Sequence, residues 1–270
     1  MTQSPHKTSE HRIEVRELSK TFSASDRAVP AVDRVSFQLT GGEFLALLGP
    51  SGCGKSTILN MIAGLVPRSG GDIKVDGATV QAGRVMPQVG YVFQRDTVFP
   101  WRTVARNIGY GLEIKGVDKA EREEKVARMI AQARLKGFEN AFPLTLSGGM
   151  RQRVSLMRSL IMEPQILLMD EPFGALDTHT KLEMHQIMLS LWERERQTVI
   201  FVTHDLSEAL TLADRIILLS ARPGRIKEDF VVPFARPRDA IKLRETPEYG
   251  VMFAKIWSSL GEEFAATKAD

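Results

Sequence analysis

The sequence has little cysteine and no long apolar run. Cys53 is the single cysteine among 270 residues, so an internal disulfide is excluded and a reducing compartment is expected. Apolar runs such as residues 44–48 and 216–219 fall far short of the ~20 residues that a transmembrane helix needs. Residues 1–11 are polar and lack the apolar stretch of a secretory signal, and we expect them to form a flexible tail. A role at a membrane would therefore need another chain as the anchor.

An excess of one charge is also missing. The chain has 36 basic and 33 acidic side chains, a net charge of +3. This charge is too small to indicate a nucleic-acid-binding protein, although the pI of about 9.0 leaves that class open. The apolar fraction of 43% and charged fraction of 26% are typical of a globular protein and argue against a largely disordered chain. At about 150 residues per domain, this length fits one large domain or two small ones.

Short apolar strands alternate with amphipathic helices along most of the chain, which predicts an α/β fold with a mainly parallel sheet. Near the start, residues 11–18 and 29–39 alternate in polarity and predict an antiparallel β region. The strand pattern fades between about 97 and 145, and an apolar helix is predicted to follow it up to Pro164. We therefore predict one domain over residues 12–270, with a helical subdomain at about 97–163 inserted in the α/β core.

A glycine-rich loop follows the predicted strand 44–48. Residues 49–57 match the pattern G-x-x-x-x-G-K-[ST] and lie between that strand and a predicted helix, as a phosphate-binding loop (P-loop) requires. Glycines let the backbone wrap phosphate oxygens, and the helix N-terminus adds an anion site. In such a loop Lys55 neutralises the β and γ phosphates and Ser56 holds Mg²⁺; the weaker alternative is a turn that only caps a helix. The predicted phosphate-binding residues are Gly49, Pro50, Ser51, Gly52, Cys53, Gly54, Lys55, Ser56 and Thr57.

Cys53 allows two interpretations. A thiol near a helix N-terminus and a lysine can have a lowered pKa and react with alkylating reagents. The simpler interpretation is a small side chain that fills space inside the loop.

Two later strands end in side chains suited to phosphate chemistry. Residues 166–169 are followed by Asp170 and Glu171, and residues 199–203 by His204. Charge at a buried strand end needs a compensating cation or hydrogen bonds. In P-loop enzymes this Asp holds Mg²⁺, and the adjacent Glu can polarise the attacking water; a solvated strand end is the alternative. At the same sheet edge, His204 is expected to contact the γ-phosphate or the water, with a purely structural histidine as the alternative.

A second glycine-rich helix start lies at residues 146–152, which read Leu-Ser-Gly-Gly-Met-Arg-Gln. Ser147 is a predicted N-cap, and Gly148 and Gly149 open a second anion site. One chain thus carries two phosphate-binding helix starts. Either the helical insertion folds back over the P-loop, or two chains pack head to tail and each closes over the partner's ATP.

In their order along residues 11–226, these motifs resemble the nucleotide-binding subunits of ABC transporters. That family's signature usually reads LSGGQ, and Met150 replaces the glutamine here. The other matching segments are Gln94 after residues 89–93, residues 169–172, residues 174–177 (the D-loop) and residues 203–205. The resemblance implies a P-loop NTPase core of mainly parallel sheet, an N-terminal antiparallel β region and a helical insertion.

The resemblance also implies roles for individual residues. Gln94 touches Mg²⁺ or the water and couples the site to a membrane partner, and Asp177 belongs to a dimer interface. Phe22 stacks on adenine, with a place in the hairpin core as the alternative. The implied catalytic residues are Glu171, His204, Gln94 and Lys55; the implied metal ligands are Ser56, Gln94 and Asp170; the nucleotide contacts include Phe22, Thr57, Ser147, Gly148, Gly149 and Asp177.

Partners and location follow from the same resemblance. It implies ATP and Mg²⁺ as cofactors, a second copy of the chain, a separate integral membrane permease, indirectly a solute-binding protein, and no nucleic acid. The expected location is peripheral, on the cytoplasmic face of the inner membrane. Residues 98–104 and 219–226 look like those of importers for nitrate, aliphatic sulfonates and taurine. The alternative is a soluble ABC-type ATPase that acts on nucleic acid or ribosomes.

Overall fold

The computed structural model describes residues 11–24, 27–174 and 176–269. Residues 1–10, which make up most of the predicted tail, and position 175 of the segment 174–177 lie outside the described residues.

Ten strands and eight helices lie in the described ranges. The strands are β1 (Ile13–Ala24), β2 (Arg27–Leu39), β3 (Phe44–Leu48), β4 (Gly70–Val75), β5 (Ala78–Thr79), β6 (Val89–Val92), β7 (Ile166–Asp170), β8 (Thr198–Thr203), β9 (Arg215–Leu219) and β10 (Ile226–Val231). The helices are α1 (Lys55–Ile62), α2 (Val104–Ile108), α3 (Tyr110–Ile114), α4 (Lys119–Gln132), α5 (Gly148–Leu160), α6 (Thr178–Glu195), α7 (Leu206–Leu212) and α8 (Pro247–Ala269).

The strands form two sheets. The first is antiparallel, with the order β2-β1-β4-β5, and the second has the order β10-β9-β3-β8-β7-β6. In the second sheet β9, β3, β8, β7 and β6 are parallel, and β10 pairs antiparallel at the edge. The predicted α/β class, with a mainly parallel sheet and an N-terminal antiparallel region, is confirmed.

Register brings the carboxyl ends of four strands to one edge of the parallel sheet. Leu48 of β3 pairs with Thr203 of β8, Asp170 of β7 pairs with Val202 of β8, and β6 ends beside Met169. The residues that follow these strands are therefore neighbours in space, although up to 155 positions separate them in the chain (203 − 48).

Successive side chains of β3 pack alternately into two separate apolar cores. Phe44 and its alternate neighbours in β3 face one core, where the Phe44 ring lies 5.8 Å from that of Trp192 of α6. Leu45 and Leu47 face the other core, which also contains α1 residues such as Ile58 and side chains of β1, β2 and β4. Helix α1 thus packs between the two sheets, and both faces of β3 are buried, as expected for a central parallel strand.

Helices α2, α3, α4 and α5 and a 3-10 turn at Pro143–Thr145 occupy the chain between β6 and β7. This stretch coincides with the predicted helical insertion at about 97–163; the division of the chain into domains stays a prediction. None of the helices in the described ranges has the length and apolarity of a transmembrane span.

Candidate nucleotide-binding site

The loop 49–54 connects β3 to the N-terminus of α1, and two of its glycines, Gly49 and Gly54, lie too close to other atoms to carry a side chain. Gly54 has a φ of +104°, and a Cβ there would lie 2.6 Å from the carbonyl oxygen of Ala31. A Cβ on Gly49 would lie 3.0 Å from both the Cys53 sulfur and the Leu219 carbonyl oxygen. The backbone therefore wraps closely over the positive end of α1, which is the geometry that binds phosphate groups.

Lys55 and Ser56 begin α1 and point to different partners. The buried Lys55 donates hydrogen bonds from Nζ to the carbonyl oxygens of Gly49 and Pro50, both at 2.8 Å. Its ammonium thus lies against the loop that would enclose the phosphates. Ser56 donates from Oγ to Oδ1 of Asp170 at 2.7 Å, which joins the P-loop to the end of β7.

The electrostatics of Asp170 fit a cation site. Burial raises the pKa of Asp170, the nearby Glu171 carboxylate raises it further, and the Ser56 hydrogen bond opposes both. A bound cation would offset the cost of this half-buried carboxylate. A hydroxyl and a carboxylate oxygen also suit Mg²⁺, which takes few protein ligands and completes its shell with water and substrate phosphates.

Glu171 lies at the centre of a second cluster. Its Oε2 accepts a hydrogen bond from Nε2 of Gln94 at 3.2 Å and lies 3.1 Å from Nδ1 of His204. Its backbone has a φ of +42°, a left-handed conformation that is strained for a side-chain-bearing residue and is typical of functional sites. The ends of β6, β7 and β8 thus bring these three residues together. Strand order predicted this for Glu171 and His204, and the family resemblance predicted it for Gln94. Asp170 contacts α1, whereas Glu171 contacts the loops after β6 and β8.

One interpretation of Cys53 is wrong. The side chain is buried, and this burial raises the pKa of its thiol, with the charge of Lys55 opposing the shift only in part. The reactive thiol of lowered pKa is therefore excluded, because desolvation outweighs the lysine. The packing interpretation agrees with the structure: the sulfur fills the space next to Gly49.

The second glycine-rich segment forms the predicted helix start. Ser147 caps α5 by accepting a hydrogen bond from the backbone N–H of Met150 at 3.2 Å. Ser147 and Gly148 are exposed. A Cβ on Gly149 would lie 2.7 Å from Cγ2 of Thr180, so this turn packs against the first turn of α6. The side chain of Met150 packs against the larger core.

Comparison with known proteins identifies the family. A family model described as "ABC transporter" matches residues 32–174, which include the P-loop, the signature and the carboxylate pair. The chain belongs to the ABC transporter family. An uncharacterized ABC transporter ATP-binding protein of Methanocaldococcus jannaschii is 45% identical over 84% of this chain and 85% of its own length.

Some relatives have names that state a transport function, and they are about as similar to this ABC ATPase as the Methanocaldococcus jannaschii protein is. The taurine import ATP-binding protein TauB of Rhizobium johnstonii is 42% identical, over 90% of this chain and 94% of its own. The aliphatic sulfonates import ATP-binding protein SsuB of Bacillus cereus is 40% identical, over 86% and 92%. Among solved structures, the dimeric post-hydrolysis state of the ATP-binding cassette MJ0796, bound to ADP and Pi, has a TM-score of 0.73. Its identity is 29%, over 83% of this chain and all of its own.

Phe22 and Asp177 of this ABC ATPase lie at the surface. Phe22 is 39% exposed, with Nζ of Lys20 at 4.9 Å from its ring centroid, so the hairpin-core alternative is wrong. Asp177 caps α6 by accepting hydrogen bonds from the backbone N–H groups of His179 at 3.1 Å and Thr180 at 3.0 Å. The side chain of Thr180 and then its backbone N–H lower the pKa of Asp177. Its capping role was missed in the sequence, although an Asp before a helix is a common N-cap signal.

Gly224 is a site residue that sequence reasoning missed. Its N–H donates to the Ala31 carbonyl at 3.0 Å, and its own carbonyl accepts from the Asp33 N–H at 3.0 Å. A Cβ on Gly224 would overlap the carbonyl oxygen of Cys53. The loop after β9 therefore lies directly against the P-loop. The Pro-Gly turn in residues 219–226 was the available signal, but it does not indicate which loop it contacts.

Proposed function

We propose that this ABC ATPase hydrolyses ATP at the loop 49–57 and energises the import of a small anion through a separate membrane permease. The observation that carries the proposal is the meeting of Gln94, Glu171 and His204 at one carboxylate oxygen. This cluster follows directly on Asp170, which bonds to Ser56 of the P-loop helix. Glu171, which is proposed to act on the water, thus follows directly in the chain on Asp170, which bonds to the phosphate-binding loop.

The binding residues act by position and charge. Lys55 neutralises the β and γ phosphates, the loop glycines and Thr57 contact phosphate oxygens, and Phe22 stacks on the adenine ring. Ser56, Gln94 and Asp170 would hold Mg²⁺, and their bound ion would supply positive charge next to the phosphate oxygens.

Glu171 acts on the attacking water. It orients the water and accepts its proton while the water oxygen bonds to the γ-phosphorus and the bond to the bridging oxygen breaks, which leaves ADP and inorganic phosphate. Gln94 and His204 both contact Oε2 of the Glu171 carboxylate and so fix its position. In the reacting complex His204 also contacts the γ-phosphate or the water. Such fixed groups stabilise developing charge without reorganisation.

A second copy of the chain completes the site. The solved neighbours are dimeric cassettes, which supports the head-to-tail alternative over an insertion that folds back on its own P-loop. In that arrangement the exposed Ser147 and Gly148, with Gly149, close over the partner's ATP. Asp177 lies at the interface while it caps α6.

A groove on the helical segment is the proposed docking site for the permease. It has a volume of about 1240 Å³ and lies between α2, α4 and residues 136–140. Trp101 at its rim is 72% exposed, and large exposed aromatic side chains are typical anchors for a partner's helix. The chain would thereby sit peripherally, on the cytoplasmic face of the membrane.

The substrate class is proposed from the relatives. TauB and SsuB are import proteins for taurine and aliphatic sulfonates by name, so we propose a small sulfonate or a related anion. The alternative action on nucleic acid or ribosomes is not favoured, because these similar relatives are import proteins.

The test combines membrane pull-down with growth. The tagged chain should recover a permease from membranes, and Trp101→Ala should weaken that recovery; Val251→Ala, at a position 73% exposed on α8, is the matched control. Deletion of the gene should abolish growth on taurine or alkanesulfonates as the sole sulfur source but not on sulfate. Loss of nitrate use instead would overturn the substrate class alone. Recovery of ribosomes or nucleic acid without a permease would overturn the transport function.

A further inference from the structure

A buried group of charged side chains lies behind the turn that carries His204. Glu208 of α7 is 2% exposed. Its Oε1 forms an ion pair with Nζ of Lys181 at 3.2 Å, and its Oε2 accepts a hydrogen bond from Oγ1 of Thr203 at 2.7 Å. Lys181 also lies 3.5 Å from Oδ2 of Asp205. A buried carboxylate is costly unless it is paired and hydrogen-bonded, and Glu208 has one partner of each kind.

The Thr203 hydroxyl connects this group to the backbone on both sides of His204. It donates to Glu208 and accepts a hydrogen bond from the backbone N–H of Asp205 at 3.0 Å. Asp205 in turn caps α7 by accepting from the N–H of Ser207 at 2.8 Å. The residues before and after His204 are therefore both fixed, whereas the His204 side chain is 46% exposed. The direction of this imidazole depends mainly on the backbone that carries it.

Lys181 connects the turn 203–205 and α7 to the start of α6. It lies in the first turn of that helix, which Asp177 caps and which packs against Gly149 through Thr180. Burial alone would lower the pKa of Lys181, but the attraction of Glu208 and Asp205 outweighs it and raises the pKa. Lys181 thus lies between the carboxyl groups of Glu208 and Asp205. Burial raises the pKa of Glu208, and the Thr203 hydrogen bond and the charge of Lys181 oppose that shift. The ion pair spans from α6 to the residues that flank His204.

We propose that Glu208 and Lys181 are positioning residues for His204, acting through the hydroxyl of Thr203. The pair holds the turn 203–205 so that Nδ1 of His204 stays within 3.1 Å of Glu171 Oε2. The inference rests on the proposed role of His204 in ATP hydrolysis. Neither residue touches the reacting atoms, so a change in either should affect the rate of hydrolysis more than the binding of ATP.

The test uses the purified full-length chain and separates turnover from binding. Thr203→Val is nearly isosteric and removes the hydroxyl, whereas Thr203→Ser retains it. We expect Thr203→Val to lower kcat about 10- to 100-fold, the loss that a small misplacement of a catalytic group causes, with the KM for ATP within about twofold. Thr203→Ser should keep most of kcat. Retained kcat in Thr203→Val would overturn the inference.

Variants of the charged pair give an independent readout if Thr203→Val fails to fold. Lys181→Met should lower kcat in the same way, and Lys181→Arg should restore most of it. A purely structural role predicts a lower melting temperature in Lys181→Met with kcat unchanged, and that result would overturn the inference. Glu208→Gln combined with His204→Ala should lose no more kcat than His204→Ala alone, because groups that act through one residue are not additive.

His204→Ala distinguishes this inference from the proposed function. If His204→Ala keeps the wild-type kcat, the proposed role of His204 fails. If His204→Ala loses turnover while Thr203→Val and Lys181→Met do not, only the positioning role fails.

Discussion

A buried histidine behind the candidate site should make the stability of this protein fall in mild acid. His185 of α6 is fully enclosed, with its ring 5.1 Å from that of Phe173 in an edge-to-face arrangement. Burial lowers the pKa of His185 to about 3 from an ordinary value of 6.5. The positive charges of Arg244 and Lys181 add to the shift, and the negative charge of Asp205 opposes it.

The sign of the effect follows from the two pKa values. Between pH 6.5 and pH 3 the unfolded chain binds a proton at His185 and the folded chain does not. The stability contributed by the neutral ring is therefore complete above pH 6.5 and is lost progressively as the pH falls towards 3. Each pH unit below 6.5 lowers the free energy of unfolding by ~1.4 kcal/mol. At pH 5 the loss is about 2 kcal/mol, or roughly a 30-fold change in the ratio of folded to unfolded protein.

Urea unfolding at pH 7.5 and pH 5 measures this loss. His185→Leu replaces the ring with an apolar side chain that does not titrate, so the drop in stability between the two pH values should be about 2 kcal/mol smaller than in the wild type. His179→Gln removes a histidine at an exposed position of the same helix and serves as the matched control. Equal drops in the wild type and His185→Leu would refute the reasoning.

Four further results are expected at the nucleotide site. Glu171→Gln should bind ATP, lose most turnover and accumulate as an ATP-bound dimer in size-exclusion chromatography; wild-type turnover would contradict its role. Gly224→Ala should raise the Kd for ATP by about tenfold or more, or ~1.4 kcal/mol, because the new methyl group overlaps the Cys53 carbonyl. The control is Gly41→Ala, where a Cβ meets nothing within 4 Å. Equal Kd values in the two variants would contradict the expectation. Phe22→Ala should weaken ATP binding by about 1–3 kcal/mol in equilibrium dialysis and leave kcat at saturating ATP unchanged. Alkylation of Cys53 should be slow, because its thiol is buried, and should block hydrolysis once complete; full activity after stoichiometric labelling would exclude this.

Local sequence patterns predicted much of the candidate site. The P-loop is a contiguous strand–loop–helix unit, and the carboxylates of Asp170 and Glu171 follow an apolar strand directly. Because parallel strands end at one edge of the sheet, strand ends indicated that Glu171 and His204 would be neighbours, whereas the place of Gln94 followed from the family resemblance. Their contacts at Glu171 Oε2 agree with that expectation.

Features that depend on burial or on distant loops were not predictable in this way. The reactive interpretation of Cys53 took account of the nearby lysine but not of the desolvation that raises the thiol pKa. Gly224 lies 171 positions after Cys53 (224 − 53), and nothing in its own turn indicates that it packs against the P-loop. The partners of Glu208 come from α6 and β8, so its pairing depends on the fold as a whole.

The first turn of α6 contacts both the signature segment and the ion pair behind His204. Thr180 packs against Gly149 of the signature, and the next residue, Lys181, pairs with Glu208 beneath the His204 turn. In a head-to-tail dimer the signature of one protomer faces the partner's ATP, while its His204 faces its own. A shift of this turn caused by events at one nucleotide would therefore move groups at the other. Lys181→Met should consequently lower the Hill coefficient for ATP as well as kcat, whereas a change confined to kcat would mean that the ion pair serves His204 alone.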